Sequence, residues 1–285
     1  LDLGDALPLA RAFSHFLALA NLAEQHHRIR RRSLRRREVD ALPQPGSCDH
    51  TFGALIAGGV TPEALYDQVV NLNIDLVLTA HPTQAMRRTV LQSHRRLAEI
   101  LARRDGELNE AERGTTDEAL RREVLSLWLT DDLIRNRPTP IDEARAGLVL
   151  FEQILWNALP AYLREVDRAL LAHTGRRLPT SASPIRFGSW MGGDRDGNPF
   201  VTADVTREVC ALARWMAASL FRDEVDRLRS ELSMVACDDV VREWVGDARE
   251  PYRALLRELR RRLEVTRDHA DRRVNDQGGA FVHFT

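Results

Sequence analysis

The sequence predicts a mainly α-helical chain with two short β-strands, both part of a larger sheet or barrel that its 285 residues do not complete. Three observations carry that expectation. Apolar residues recur at three- and four-residue spacing through most of the chain, the period of one helix face. Only two stretches, near 73–80 and 184–190, alternate as strands do. Two strands alone make a marginal sheet, and both run into polar loops marked by proline or glycine. Ligands meet α/β sheets at such strand ends.

The first helix is predicted over 6–32. Phe13, Phe16, Leu17 and Ala20 form one stripe, with Leu19, Leu22 and Ile29 beside it. An apolar arc this wide is expected to be covered by more than one neighbour. It runs into 28–37, with seven arginines in ten residues. With no aromatic residues interleaved, this is read as a solvated helix end rather than a nucleic-acid surface. Residues 40–53 carry Pro43, Pro45, Gly46, Asp49 and Gly53 and are expected to form a loop. Thr61 then caps a short helix with Pro62 at its first position.

Ile74, Leu76 and Leu78 alternate with Asp75, Val77 and Thr79 in a strand expected to be mostly buried. His81 follows its end. Pro82 stops strand pairing and suits a first helical turn. Met86, Val90, Leu91, Leu97 and Leu101 continue at helical spacing to about Arg104, before Asp105-Gly106 breaks the helix. A lone histidine is most often a core or cap residue. This one lies between a strand end and a helix start, whose free N–H groups and dipole favour anions. Arg87 and Arg88 stand a turn further on, suited to phosphate or carboxylate, and an imidazole near neutrality is the usual general base.

Asp117–Arg135 is predicted as a helix with Leu120, Val124, Leu127 and Trp128 on its buried side. Thr139 caps the next one, with Pro140 first and Asp142 and Glu143 in its first turn. Pro160 is expected to kink or divide that helix, and Gly175 to close it. Ile185, Phe187 and Trp190 mark the second strand, expected to be short and buried. Gly192, Gly193 and Gly197 then bracket Asp194, Arg195, Asp196 and Asn198. Local Asx-type hydrogen bonds would account for a tight turn but leave Arg195 without a task. The functional reading is a loop that presents Arg195 to an anion, oriented by Asp194 and Asp196. A divalent cation on the two acids would need a third ligand that is not evident. Helices are predicted over 203–233, 238–244 and 251–265. The last carries Leu255, Leu256, Leu259 and Leu263 inside and Arg253, Arg257, Arg260 and Arg261 outside. Residues 266–285 are expected to be a loose tail. His26, His27 and His94 are read as structural or solvent-facing.

Composition narrows the function classes. Apolar residues are 44% of the chain, charged residues 29%, and the net charge is −1, so nothing global favours nucleic acid or an anionic membrane. All 41 basic residues are arginine, which excludes a lysine base or nucleophile. Three scattered cysteines, Cys48, Cys210 and Cys237, argue against a disulfide framework or zinc site and fit a reducing cytoplasm. No run of 18 apolar residues and no leader is evident, and a first residue of leucine suggests a processed or trimmed start.

Two stretches resemble signatures of the phosphoenolpyruvate carboxylase family: T-A-H-P-T-Q-A-M-R-R at 79–88 and S-W-M-G-G-D-R-D-G-N-P at 189–199. Residues 10–25 are similar to that family's N-terminal helix, and the resemblance runs from about 6 to 265. It implies the N-terminal portion of a helix-rich (β/α)8 barrel, incomplete in this chain, in a homotetrameric enzyme. It further implies conversion of phosphoenolpyruvate and bicarbonate to oxaloacetate and phosphate with Mg²⁺ or Mn²⁺. His81 matches the catalytic histidine, which assists breakdown of carboxyphosphate. Trp190 and the Asp194–Asn198 loop match positions near the active site. Arg87, Arg88 and Arg135 match arginines that bind a sugar-phosphate activator in some members. The lysine motif, the metal-binding acids and a mobile arginine loop belong to the C-terminal half, so no metal ligand is expected here. The chain is therefore expected to be inactive alone. A non-catalytic, anion-binding or regulatory relative is the competing expectation.

Overall fold

The computed structural model describes residues 3–37, 43–79, 88–130 and 138–275. The elements in order are α1 (Leu3–Arg37), α2 (Cys48–Ala57), α3 (Pro62–Val70), β1 (Ile74–Leu78), α4 (Arg88–Arg104), α5 (Glu110–Leu129) and α6 (Pro140–Leu150). There follow a π-turn at Phe151–Leu155, α7 (Trp156–Thr174), β2 (Ile185–Ser189), α8 (Ala203–Glu231), α9 (Asp239–Val245) and α10 (Pro251–Asn275). The mainly helical class with two strands is as expected. The chain divides into two compact units, Leu1–Thr51 with Gln84–Arg137, and Phe52–Thr83 with Pro138–Thr285.

The first unit is built on α1, α4 and α5. Val90, Leu97 and Leu127 form its buried core, with Leu19, Leu22, Leu120 and Val124 packed against them. Arg11 reaches from α1 to the end of α5, where helix carbonyls lack intrahelical donors. It donates to the Trp128 carbonyl at 2.6 Å and to that of Thr130. His26 bonds Asp105 at 2.8 Å, and Arg96 pairs with Glu123 at 2.6 Å. The wide apolar arc of α1 is not covered as expected: Phe13 is 63% and Phe16 64% exposed. By length and composition alone, Ala6–Leu34 would also serve as a membrane span, although α4 and α5 take up Leu19 and Leu22.

Asn109 and Glu112 form a reciprocal capping box that starts α5 at Glu110, ahead of the expected Asp117. Trp128, placed on the buried side by spacing, is partly open at 39%. The loop expected over 40–53 gives way to α2, which begins at Cys48 and buries none of its residues.

The second unit holds the sheet. β1 and β2 pair in parallel, Ile74 with Ile185 through Leu78 with Ser189. The expected burial of β1 is corrected: Ile74 is 40% and Leu76 46% exposed. A strand is buried by neighbours on its edges and faces, and among the described residues β1 pairs with β2 alone. Phe187 meets Phe151 edge-on at 5.2 Å.

Thr139 and Asp142 form the capping box that starts α6, and Gly175 closes α7 in the left-handed conformation. The break between these helices is the π-turn, where the Trp156 N–H reaches the Phe151 carbonyl. Pro160 lies within α7 rather than at the division. It has no N–H for the Trp156 carbonyl, and the wider turn just before it accommodates that irregularity.

α8 and α10 run antiparallel. Ala211, Leu212 and Val274 are buried together, with Ile141 and Leu148 of α6 against them. Two arginines expected outside reach across this seam instead. Arg260 pairs with Asp226 at 2.9 Å, and Arg253 donates to the Arg229 carbonyl at 2.9 Å. Leu259, expected inside, is 43% exposed. The loose tail expected over 266–285 is corrected in part: 266–275 continues α10, with Ala270 and Val274 fully buried, and 276–285 lie outside the described residues.

Candidate functional site

The parallel register decides where the two signature stretches begin. Leu78 and Ser189 are the last paired residues, so the chain leaves both strands at the same, carboxyl end. The Trp190 N–H donates to the Leu78 carbonyl at 2.9 Å, tying the two exits together. His81, Arg87 and Arg135 lie outside the described residues, as does the side chain of Arg88.

The glycine-rich loop has an anchored root and an open tip. Met191 and Gly192 are buried, whereas residues 193–197 are exposed. Met191 lies against Gly147 of α6, where any β-carbon would overlap its thioether. Gly192 has a φ of +72°, and a β-carbon there would collide with Val209 of α8. Its carbonyl accepts a 2.7 Å hydrogen bond from the Thr206 hydroxyl. The root is therefore wedged between α6 and α8. Thr202, whose side chain accepts from the Val205 N–H, starts α8 right behind it.

At the tip, the Gly193 and Asp194 N–H groups both donate to the Trp190 carbonyl, at 3.0 and 2.8 Å. The Asn198 N–H closes a further turn onto the Arg195 carbonyl. Asp196 has a φ of +26°, which aspartate tolerates better than most residues. Asn198 Oδ1 accepts from the Phe200 N–H at 3.0 Å, so this side chain shapes the turn itself. The expected burial of the second strand is corrected: no residue of β2 is buried, and Trp190, just past its end, is 56% exposed. Asp194, Arg195 and Asp196 project from one exposed tip. Among the described residues Arg195 makes no ion pair with either acid, so the expected orienting contacts are not formed. A guanidinium in this position is available to an anion.

Spacing alone missed the residues behind the loop. Glu208 of α8 is buried, 6% exposed, and burial pushes its carboxyl up, only partly offset by Arg145 of α6. Arg145 Nη2 stands 3.9 Å from Glu208 Oε1, and that oxygen has no hydrogen-bond partner among the described residues. The signal was present: Glu208 falls one turn before Leu212, within an otherwise apolar helical register. Among the described residues no group of three or more His, Cys, Asp or Glu side chains could hold a metal ion.

Comparison with known proteins gives the family. The phosphoenolpyruvate carboxylase family model matches residues 1–281. A phosphoenolpyruvate carboxylase of Pseudomonas putida is 50% identical over 284 residues, covering 98% of this chain and 32% of that protein. One from Pseudomonas aeruginosa is 50% identical over 272 residues, 94% of this chain and 30% of its own length. Phosphoenolpyruvate carboxylase 2 of Chlamydomonas reinhardtii is 52% identical over 242 residues, 85% of this chain and 19% of its own length. The chain thus spans about a third or less of these relatives, yet nearly all of it matches them, and it belongs to the phosphoenolpyruvate carboxylase family.

Proposed function

We propose that this chain contributes the histidine and the glycine-rich arginine loop to the active site of an enzyme that makes oxaloacetate and phosphate from phosphoenolpyruvate and bicarbonate. The observation that supports this most is the parallel register, by which the stretches 79–88 and 189–199 leave the sheet from one end. In this reading β1 and β2 are adjacent strands of a (β/α)8 barrel, whose reactive groups gather at the carboxyl ends of the strands.

The chemistry follows from the groups. A bicarbonate oxygen attacks phosphorus, and the bond from phosphorus to the enol oxygen breaks with its electron pair, leaving the enolate and carboxyphosphate. His81 takes the carboxyphosphate proton as CO₂ departs and phosphate is released. The enolate carbon then captures CO₂. Arg195 offers a paired N–H fork to the phosphoryl or carboxylate oxygens, and the exposed Trp190 ring forms one wall. Among the described residues no cluster of three or more His, Cys, Asp or Glu side chains suits a metal ion, and the Mg²⁺ or Mn²⁺ of the family would be held by residues elsewhere. Arg87, Arg88 and Arg135 are proposed as the activator-binding arginines. A cytoplasmic homotetramer is the expected setting, and the 285-residue chain alone is expected to be inactive.

A chimaera tests this reading. The chain replaces the matching third of the Pseudomonas putida relative, and oxaloacetate is followed with malate dehydrogenase and NADH. The chimaera is expected to turn over, and His81→Asn to lower kcat by about 10²-fold or more. Full activity in His81→Asn would overturn the assignment.

A further inference from the structure

We propose that Glu208, set against Arg145, is a positioning residue for the 190–198 loop, fixing the spacing of the two helices between which the Met191–Gly192 root is wedged. The inference rests on the reading that this loop presents Arg195 to an anion. The root touches α6 at Gly147 and α8 at Thr206 and Val209. Arg145 and Glu208 stand within two residues of those contacts, one on each helix, facing each other across 3.9 Å. Deeper in the same seam, Ile141 and Leu148 meet Ala211 and Leu212 through apolar contact that does not depend on charge. The pair is thus the polar tie nearest the loop.

A carboxylate buried in this way is a poor device for stability. Its desolvation opposes the attraction to Arg145, and apolar replacement of buried ion pairs is often neutral or stabilising. Glu208 forms no hydrogen bond to the arginine, and its Oε1 is unsatisfied among the described residues. Placed at the root of an exposed loop and facing Arg145 across the seam, the carboxylate instead holds two helices at a set distance. The Arg145 guanidinium carries five N–H donors and can follow the carboxylate as the helices turn, so the tie restrains separation more than rotation.

Stability and positioning then separate experimentally. Hydrogen exchange is measured on the 285-residue chain as the parent and as Glu208→Leu, Glu208→Gln and Arg145→Met. Glu208→Leu removes the desolvated carboxylate and leaves Arg145, 26% exposed, able to turn to water, so the melting midpoint is expected to stay within about 2 °C, while amides of 190–198 exchange about fivefold faster or more. Glu208→Gln keeps a polar partner for Arg145 and is expected to hold loop exchange within about twofold of the parent. Arg145→Met is expected to speed the same amides and serves if Glu208→Leu fails to fold. Unchanged loop exchange in the leucine and methionine variants would overturn the proposal. So would acceleration spread evenly through α8 and α10. Inorganic phosphate keeps the underlying reading separate: it is expected to slow exchange at 193–197 in the parent and not in Arg195→Gln. A parent indifferent to phosphate would remove the anion reading and leave the exchange result on Glu208 intact.

Discussion

α1 carries Leu9, Phe13 and Phe16 on a face left open to solvent, whereas α10, with its outer surface crowded by arginine, buries Ala270 and Val274 completely. Apolar content does not account for the difference, since α1 is the richer helix. Opposition does. α10 lies along α8 with its charges matched across the seam, Arg260 to Asp226 and Arg253 to the Arg229 carbonyl, and its Val274 packs with Ala211 and Leu212. α1 offers Leu19 and Leu22 to the α4–α5 core and uses Arg11 to satisfy carbonyls at the end of α5. A helix face is buried when the fold places a complementary face opposite it, and hydrophobicity alone does not supply one.

Substitutions can break or sharpen this contrast. The largest effect is expected on the α8–α10 seam. Leu212→Ala removes a side chain 1% exposed and should destabilise the second unit by about 2–5 kcal/mol, read from the denaturant midpoint; a loss comparable to a surface substitution would show that the seam repacks. A smaller effect is expected in the first unit from acid. Burial, and secondarily His15, hold the His94 imidazole below its ordinary value. The unfolded chain then binds this proton more readily than the folded one, so stability is full above the ordinary histidine value of about 6.5 and falls as pH drops through the folded value. His94→Gln should flatten that slope in urea titrations at several pH values, and an unchanged slope would shift the origin to another group. The smallest effect is expected on the open face of α1. Phe13→Ser should alter stability by no more than about 0.5 kcal/mol, and a large loss would mean that this face is covered in solution.

Helix ends set by local chemistry are legible in the sequence. Thr61, Thr139 and Gly175 announce helix ends through residue chemistry that needs no distant partner, and each sits where expected. Both strands fall within their predicted spans. Failures came where the outcome depends on what lies across a gap. α2 contains Gly53, and the glycine and aspartate that suggested a loop are carried by an exposed helix. The Leu263, Arg267, Ala270, Val274 spacing that continues α10 is present in the sequence, but the charged run around it obscured the face that α8 covers. The same holds for the site. Arg195 and its glycines could be identified from spacing, whereas Met191, Gly147, Thr206 and Glu208 act through contacts between residues far apart in sequence.

The π-turn at Phe151–Leu155 sets the phase of everything after it. A helix advances about 100° per residue, so one residue accommodated in a wider turn rotates the following helix by about that angle. With it, Leu148 before the turn packs against the cluster of Ala211, Leu212 and Val274, and Trp156 after it meets Phe221 of α8. Deleting one residue from this turn would give a more regular helix and a worse protein. Trp156 would swing off Phe221, and the buried face of Val166, Ala169 and Leu170 would turn away from its core. The local irregularity keeps two successive helices meshed with one partner.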